Sequence, residues 1–332
     1  MDTMQRPLRD LRISVTDRCN FRCRYCMPAE VFGEDYPFLP KPEILSFEEI
    51  ARLARVFCDL GVEKIRLTGG EPLLRRDLHE LVAMLAGITG ERDIALTTNG
   101  SSLARHAQHL KDAGLQRVTV SLDALDHAVF TRMHGTSVSP EQVVEGVDAA
   151  LGCGLGVKIN SVIQRGVNDD QILELARFAR QRRVTLRLIE YMDTGNTNGW
   201  RADEVVGFEE MLNCLKEHYS LEAVAPDYPG ETARRFRYTD DLDLEIGFIS
   251  SVTKPFCGDC NRARLSADGQ LFTCLFSARG HDLKTILRAG VDDEMLAANI
   301  TSIWSQRGDR YSELRQQSGN DQPKPEMSYL GG

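Results

Sequence analysis

Short β-branched runs alternate with longer amphipathic patterns from residue 11 to about residue 190. The alternation predicts strands over Leu11–Thr16, Lys64–Thr68, Ile94–Thr98, Val118–Asp123, Val157–Ile163 and Thr185–Tyr191. The intervening patterns predict helices over Phe47–Leu60, Leu78–Ile88, Leu103–Ala113, Pro140–Leu151 and Asp170–Arg180. Strands that alternate with helices form a parallel sheet. Because these six units fall short of the eight of a closed barrel, we expect an α/β fold with an open, partial (βα)6 barrel.

Polar side chains occupy every second position of the predicted strands. Helices must cover the apolar face of the sheet, so the polar face lines the concave side of the barrel. The basic members of this face are Arg12, Lys64, Arg66, Lys158 and Arg187. Buried cations need anions nearby. Either acidic residues of the same region, Asp17, Glu71, Asp123 or Glu190, pair with them, or the cavity binds an anionic ligand such as a polyphosphate.

The pattern changes after Gly195. A helix is predicted over Phe208–His218, followed by β-like runs at Arg234–Tyr238 and Leu244–Val252 and a hairpin around Ala267–Gly269. Two further helices are expected between about His281 and Arg307. We therefore expect a barrel over residues 5–226 and a C-terminal α+β region over residues 227–332 that covers its open side.

The overall charge argues against two classes of partner. Forty basic and 49 acidic residues give a formal charge of -9, which disfavours binding to nucleic acid or to a membrane surface. No apolar run reaches the length of a membrane span, and the sequence begins without the apolar core of a secretion signal. These features predict a cytoplasmic protein that binds neither nucleic acid nor membrane.

Six of the nine cysteines fall into two triplets at opposite ends of the chain. The first triplet, Cys19-x3-Cys23-x2-Cys26, directly follows the first strand. Three thiolates on one loop can hold three irons of a [4Fe–4S] cluster and leave the fourth iron open. The alternative is a structural zinc ion, which usually takes four protein ligands. No fourth ligand is evident near this triplet in the sequence.

The second triplet is Cys257-x2-Cys260 with Cys274 downstream, and His281 is a possible fourth ligand. Here the alternatives are a structural zinc ion and an electron-relay cluster. Arg262 and Arg264 come next at a spacing that places both side chains on one face of a strand. Two arginines beside a cluster with an open iron predict a second site for a ligand.

The first triplet, with Tyr25 before its last cysteine, resembles the radical S-adenosylmethionine (SAM) superfamily. The run Gly69-Gly70-Glu71-Pro72 after the second strand strengthens this resemblance. It implies a TIM-type partial barrel and an open iron that chelates SAM. The reduced cluster then cleaves SAM to methionine and a 5′-deoxyadenosyl radical. The SAM contacts that the resemblance implies are Tyr25, Gly70, Ser121 and Met192.

Over its whole length the chain resembles one family within that superfamily, the GTP 3′,8-cyclases of molybdenum cofactor biosynthesis. The matching segments are LRISVTDRCNFRCRYCMP from Leu11, RLTGGEPLLRR from Arg66, CNRARLSADG from Cys260, and the terminal YLGG. The resemblance implies two [4Fe–4S] clusters, held by Cys19, Cys23 and Cys26 and by Cys257, Cys260 and Cys274. It implies GTP contacts at Arg12, Lys64, Arg66, Thr97, Lys158, Arg187, Arg262, Ala263 and Arg264. It also implies catalytic roles for Arg12, Arg262, Arg264, Gly331 and Gly332.

The reaction that the resemblance implies is a lyase reaction. The radical removes the C3′ hydrogen of GTP, C3′ bonds to guanine C8, and one electron and one proton complete (8S)-3′,8-cyclo-7,8-dihydroguanosine 5′-triphosphate. An external one-electron reductant, a homodimer and a downstream cyclic pyranopterin monophosphate synthase are also implied. Two alternatives stay open at this point. One is a radical SAM enzyme that modifies a peptide, and the other is a non-catalytic metal-binding scaffold.

Overall fold

The computed structural model describes residues 1–90, 92–315 and 324–331, so Gly332 lies outside the described residues. The strands are β1 (Asp10–Ser14), β2 (Lys64–Thr68), β3 (Asp93–Thr98), β4 (Arg117–Ser121), β5 (Gly156–Ile163), β6 (Thr185–Glu190), β7 (Leu221–Val224), β8 (Arg234–Tyr238), β9 (Asp241–Ile249), β10 (Arg262–Leu265), β11 (Gln270–Phe272) and β12 (His281–Asp282). The helices are α1 (Phe47–Asp59), α2 (Leu78–Thr89), α3 (Leu103–Asp112), α4 (His127–His134), α5 (Pro140–Gly152), α6 (Ile172–Arg182), α7 (Phe208–Lys216), α8 (Lys284–Arg288), α9 (Asp293–Ser305), α10 (Tyr311–Leu314) and α11 (Met327–Leu330). Within the described ranges, no helix combines the length and hydropathy that a membrane span requires.

The strands form a twelve-stranded sheet in the order β12-β11-β10-β1-β2-β3-β4-β5-β6-β9-β8-β7. Strands β1 to β6 are parallel and lie side by side in sequence order. The sheet does not close on itself, because β1 and β6 pair with β10 and β9 instead of with each other. The predicted fold class, an open partial barrel, is therefore confirmed.

The helices cover the outside of the sheet, and α1 shows how the sequence directs this packing. Ser46 caps its first turn in a capping box, in which the Ser46 hydroxyl accepts from the Glu49 backbone and the Glu49 carboxylate accepts from the Ser46 backbone. Ile50, Leu53 and Phe57 occur at helical spacing and are fully buried. This apolar stripe holds α1 against the convex face of the sheet, so the concave face stays free for polar side chains.

Strand bounds in the barrel agree with the predictions to within one or two residues, and those of Lys64–Thr68 agree at both ends. Strands β1, β3, β4 and β5 each begin one residue earlier than predicted. The elements that the pattern did not predict include α4 and β7, which are both short. The two helices expected between about His281 and Arg307 are present as α8 and α9, and the first begins at Lys284 because His281 and Asp282 pair with β11 as a strand.

The C-terminal region extends the barrel sheet at both of its edges. Strand β10 pairs in parallel with β1, and β9 pairs in parallel with β6. One hydrophobic core includes Leu11 and Ile159 of the barrel together with Ile246 and Leu265 of the C-terminal region. The domain division at residues 226 and 227 stays a prediction, because sheet and core continue across it.

Glu190, at the end of β6, fastens the barrel to two segments nearer the C-terminus. Its side chain is fully buried. One carboxylate oxygen accepts from Phe208 N at 2.9 Å and from the Thr253 hydroxyl. The other accepts from the backbone N–H groups of Val252 and Thr253, at 2.8 and 2.9 Å. The same carboxylate therefore anchors the first turn of α7 and the loop after β9.

Replacing Glu190 by Gln is expected to lower the free energy of unfolding by about 3 kcal/mol, because the amide nitrogen would face buried N–H donors. Urea denaturation of the metal-free chain measures this loss. The control is Glu210→Gln, whose half-exposed pair with Arg165 should contribute less than about 1 kcal/mol. Equal stability of the Glu190→Gln variant and the unmodified protein would contradict the anchoring role.

Candidate active site

One cavity of about 400 Å³ opens at the carboxyl ends of the barrel strands. All six cysteines of the two triplets lie on its wall: Cys19, Cys23, Cys26, Cys257, Cys260 and Cys274. The residues expected to contact SAM lie there as well: Tyr25, Gly70, Ser121 and Met192. So do eight of the nine residues expected to contact GTP: Arg12, Lys64, Arg66, Thr97, Lys158, Arg187, Arg262 and Arg264. The chain thus brings residues from both of its ends to one space.

Two expected site residues are not on the cavity wall, and a third cannot be placed. Ala263 lies in the hydrophobic core with a fully buried side chain, so only its backbone can face a ligand. Gly331 is buried at the end of α11, where its carbonyl accepts a hydrogen bond from Arg264 Nη1. Gly332 falls outside the described residues, and its role stays a prediction. His281, the possible fourth ligand of the second triplet, is exposed on β12 and does not line the cavity.

Parallel pairing arranges the charged side chains of neighbouring strands in two rows. The lower row runs Arg262, Asp10, Lys64 and Asp93 across β10, β1, β2 and β3. Its charges alternate in sign, so neighbours across the strands neutralise one another. The upper row, called the positive row below, places Arg264, Arg12 and Arg66 side by side, and the next position along it is Ala95. These three adjacent positions are all positively charged.

Burial, and then the charges of neighbouring cations, lowers the pKa values of three basic residues on this wall. Burial, and then the charges of Arg264 and Arg66, hold the pKa of Arg12 well below its usual value. Burial and Arg262 lower the pKa of Arg264 to about 10. Farther along the wall, burial and Arg187 lower the pKa of Lys158 to about 8. An anionic ligand in this cavity would relieve all of these shifts at once.

Several buried polar atoms on this wall have no hydrogen-bond partner among the described residues. They are Nε of Arg12, Nε of Arg66, the Thr97 hydroxyl and Oδ1 of Asn160. Buried polar groups are nearly always paired in folded proteins. A group of such atoms facing a single cavity therefore indicates a site built for a polar ligand.

The alternative that local carboxylates neutralise the basic residues was wrong for all four acids named from the sequence. Glu190 is saturated by the donors described above, and Asp17 accepts from Leu39 N at 2.7 Å. Glu71 accepts from the Thr98 hydroxyl and Asn99 N, both at 2.7 Å, and from Leu73 N at 3.0 Å. Asp123 accepts from the Tyr25 hydroxyl at 2.6 Å and from Val162 N at 2.8 Å.

Three charged residues of the cavity wall, Asp10, Asp93 and Arg117, were not predicted from the sequence. Arg117 makes a two-pronged contact with Asp93, at 2.8 and 2.5 Å. Each of the three is the first residue of its strand and lies outside the predicted bounds. Asp93 lies two residues before Ala95, and Arg117 lies two residues before Thr119. Starting each predicted strand one residue earlier would therefore have placed both charged side chains on the cavity face.

The loop after β1 carries the first triplet close to the barrel wall, and Gly70 permits this approach. A side chain at Gly70 would overlap the backbone of Arg18, next to Cys19. Asn99 Nδ2 and the backbone N–H of Phe21 point at the Cys19 sulfur, at 3.9 and 3.4 Å. Burial, and then the charge of Glu71, raises the pKa of the Cys19 thiol to about 12. Such a thiol ionises only when a metal centre binds it.

Cys23 lies beside a buried histidine. Its sulfur is 3.1 Å from His134 Nδ1, and His134 Nε2 is 3.5 Å from Asp123. Burial lowers the pKa of His134 to about 3, so this histidine is neutral. Burial also raises the pKa of Asp123 to about 6. Loss of contact with water is therefore the dominant influence on the ionisable groups around the first triplet.

The second triplet differs because cations surround it. Burial acts to raise the pKa of Cys260, but Arg262 and Arg307 outweigh it and lower the pKa to about 7. Burial and Asp309 raise the pKa of Cys274 to about 12. Arg262 stands over the ring of Phe256 and donates to the Thr232 hydroxyl at 2.6 Å. At Cys260, this triplet favours the thiolate more than the first one does.

Both triplets suit an iron–sulfur cluster. All six thiols are free and face the cavity. Among the residues that the structure describes, no three Cys, His, Asp or Glu side chains are grouped as ligands of one metal ion. A cluster places each thiolate on a different iron and does not require that arrangement. Cys19, Cys23 and Cys26 would hold one cluster, and Cys257, Cys260 and Cys274 would hold a second.

Comparison with known families agrees with this site. The family model described as the radical SAM superfamily matches residues 13–179, and the model described as molybdenum cofactor synthesis C matches residues 184–313. SuiB of Streptococcus suis, solved with bound SAM, superposes with a TM-score of 0.64 at 14% identity, over 98% of this chain and 76% of that chain. At that identity the likeness shows the fold alone. Fold, cysteine motif and family match together define a radical SAM protein, a class that uses SAM and an iron–sulfur cluster.

Closer relatives specify the family. A GTP 3′,8-cyclase of Acidothermus cellulolyticus is 57% identical over 319 residues, which cover 95% of this chain and 88% of the relative. A GTP 3′,8-cyclase of Staphylococcus carnosus is 49% identical over all of this chain and 98% of the relative. The chain belongs to the GTP 3′,8-cyclase family.

The depressed pKa of Lys158 predicts uptake of a proton when a polyanion binds. Near pH 9 the free side chain is mostly neutral, since its pKa is about 8, and a bound phosphate would recharge it with about one proton. Calorimetric titration with inorganic tripolyphosphate, in buffers of different ionisation enthalpy, measures that uptake. It should vanish near pH 6, where Lys158 is already charged.

Two variants provide the controls for this measurement. Lys158→Met should bind tripolyphosphate more weakly and without the extra proton, whereas Lys254→Met, which removes a surface pair with Glu209, should behave like the unmodified protein. Unchanged uptake in the Lys158→Met variant would assign the proton to another group.

Proposed function

We propose that this protein catalyses the SAM-dependent radical conversion of GTP to (8S)-3′,8-cyclo-7,8-dihydroguanosine 5′-triphosphate, an early step of molybdenum cofactor biosynthesis. In reaction class it is a lyase. The observation that carries the proposal is that both cysteine triplets and a row of three adjacent arginines share one cavity. Identity of 49–57% with GTP 3′,8-cyclases over nearly the whole chain supports the choice of substrate.

The protein's cofactors are two [4Fe–4S] clusters and SAM. Cys19, Cys23 and Cys26 hold the first cluster, and Tyr25, Gly70, Ser121 and Met192 surround SAM beside it. Cys257, Cys260 and Cys274 hold the second cluster near the guanine. Bound there, the first cluster supplies the electron that cleaves SAM, and the second offers an open iron to the base.

The basic wall binds and orients GTP. Lys64, Lys158 and Arg187 meet the triphosphate, which gains three cationic partners there. Arg66 and Thr97 offer unpaired polar atoms to the ribose and the first phosphate. Arg12, Arg262 and Arg264 fix the guanine and the ribose so that C3′ lies within reach of C8, which is the main contribution that a protein makes to such a step.

The C-terminal tail contacts one of these arginines, Arg264. Lys324 Nζ donates to Asp193 at 2.8 Å and Glu326 accepts from Asn196 N at 3.0 Å, so the tail is held on the loop after Met192. Helix α11 then delivers Gly331 to Arg264, and a side chain at Gly331 would overlap Thr68. Gly331 thereby completes the surroundings of Arg264, and the catalytic role of Gly332 belongs to the proposal on the family's pattern alone.

The remaining partners belong to the proposal as well. An external one-electron reductant supplies the electrons, and a downstream cyclic pyranopterin monophosphate synthase takes the product. The protein works in the cytoplasm as a homodimer. Its barrel over residues 5–226 and its C-terminal region over residues 227–332 act as one catalytic unit, a view that their shared sheet supports.

The test is the release of 5′-deoxyadenosine from SAM by anaerobically reconstituted protein with a chemical reductant. Release should rise strongly with GTP and stay at its basal rate with ATP or without nucleotide, because only GTP places C3′ at the radical. The cyclised nucleotide should accumulate in proportion. Equal basal release in all three conditions would leave the radical SAM class standing and refute GTP as substrate.

Gly331→Ala is expected to reduce cyclisation by about 10- to 100-fold, because the added carbon would overlap Thr68 and push the tail away from Arg264. Gly290→Ala is the matched control. Gly290 has a similar positive φ of 79°, against 73° at Gly331, but open space around it. Iron content and melting temperature should match between the two variants. A similar turnover in both variants would contradict a role for Gly331 in the active site.

A further inference from the structure

A buried ionic network links the first residues of the chain to the second cysteine triplet. Asp2, Arg6 and Arg307 are each less than 5% exposed, at 3, 2 and 4%. Asp2 Oδ2 accepts from Arg6 Nε at 2.5 Å and from Arg307 Nη1 at 3.1 Å. Asp2 Oδ1 accepts from the backbone N–H groups of Met4 and Arg6, both at 2.9 Å. A single carboxylate therefore holds two guanidinium groups side by side inside the protein.

These two guanidinium groups also donate to backbone carbonyls, three of them around the triplet and one at Asp309, 2.9 Å from Arg6 Nη1, while Arg6 Nη2 has no hydrogen-bond partner among the described residues. Arg6 Nη1 donates to Cys257 O at 2.7 Å. Arg307 Nη1 donates to Cys260 O at 2.7 Å. Arg307 Nε donates to Thr273 O, the carbonyl before Cys274, at 2.9 Å. Every cysteine of the triplet thus has its own or its preceding carbonyl tied to the network.

Burial of this network is energetically unfavourable in itself. Burying three ionised side chains is expensive unless their polar atoms find partners. The Asp309 carboxylate also lies 3.6 Å from Arg307 Nε, so two guanidinium groups face two carboxylates and their charges balance. Asp2, Arg6 and Arg307 lie away from the cavity wall, so they do not touch a ligand directly. These residues can therefore influence the site only through the loops that carry the cysteines.

We propose that Asp2, Arg6 and Arg307 are positioning residues that fix the second cluster, and with it the open iron, relative to Arg262 and Arg264. The inference rests on the proposed function for the cluster itself. Strand β10 begins two residues after Cys260, so the same contacts also set where the two arginines emerge. The network aligns the base-binding iron with the arginines of β10.

The first experiment measures the cluster without any substrate. The cysteines of the first triplet are replaced by alanine, so that all reconstituted iron belongs to the second, and a chelator then removes it. Arg307→Lys keeps the charge but loses the two-pronged contact, and Asp2→Asn removes the central charge. Each should accelerate iron loss by about 10- to 100-fold, the usual effect of changing groups that support metal ligands.

Trp304→Phe is the matched control. Trp304 Nε1 donates to Arg6 O at 3.1 Å, and the Arg307 guanidinium lies over its ring, 4.6 Å from the ring centre. Phenylalanine keeps an aromatic ring under Arg307, so this variant removes the hydrogen bond alone. It should lose thermal stability but keep its iron like the parent chain. If Arg307→Lys does not fold, Asp2→Asn and Arg6→Lys are compared with the control in the same way. Iron loss no faster than in Trp304→Phe would overturn the inference.

The second experiment uses chains with both triplets intact. GTP should alter the paramagnetic resonance signal of the reduced second cluster in the unmodified protein, and Arg307→Lys should abolish that change. It should also lower the cyclised product formed per 5′-deoxyadenosine by about 10- to 100-fold. A missing GTP effect in the unmodified protein would count against the proposed function, whereas a normal effect in Arg307→Lys would count against the positioning role.

Discussion

The pairing of β1 between β2 and β10 is the constraint on which the rest of the molecule depends. Its parallel register sets Arg12 beside Arg66 on one side and beside Arg264 on the other. Adjacent like charges on one face of a sheet are unfavourable, and burial adds to the cost. The fold tolerates this row because extensive hydrophobic packing on the opposite face holds the strands together. The result is a cavity wall whose electrostatics improve when an anion binds.

The acidic residues of the barrel have a different task from the basic ones. Glu71, Asp123 and Glu190 are each fully or almost fully buried, and each accepts two or more hydrogen bonds from backbone or side-chain donors. These carboxylates fix the loops that leave β2, β4 and β6, which carry groups expected around SAM. Because their oxygens are occupied by the framework, they do not neutralise the positive row. These three acids thus make the loops rigid, whereas Asp10 and Asp93 are the acids that lie beside the basic residues of the wall.

Much of this arrangement could be predicted from the chain alone, because it depends on strand alternation. Period-two patterning placed Arg12, Lys64 and Lys158 on a common face, and the structure brings them to one cavity. Asp10 and Arg117 were missed, since a strand's first residue has no apolar neighbour before it to mark the pattern. The pairing of β10 with β1 could not be predicted from the local sequence pattern either. That contact connects residues roughly 250 positions apart, as in Arg12 with Arg264, and only the folded core determines it.

The non-local contacts of the two chain ends give the site its final form. The segment that contains Asp2 and Arg6 precedes β1, and the segment that contains Arg307 comes after α9, yet both meet at the loops around the second triplet. Strand β10 enters the sheet beside β1 directly from that triplet. A shift of those loops would therefore displace Arg264 along β1 as well as the thiols. Geometry at the second triplet and charge in the positive row are consequences of one set of contacts, so neither can change without the other.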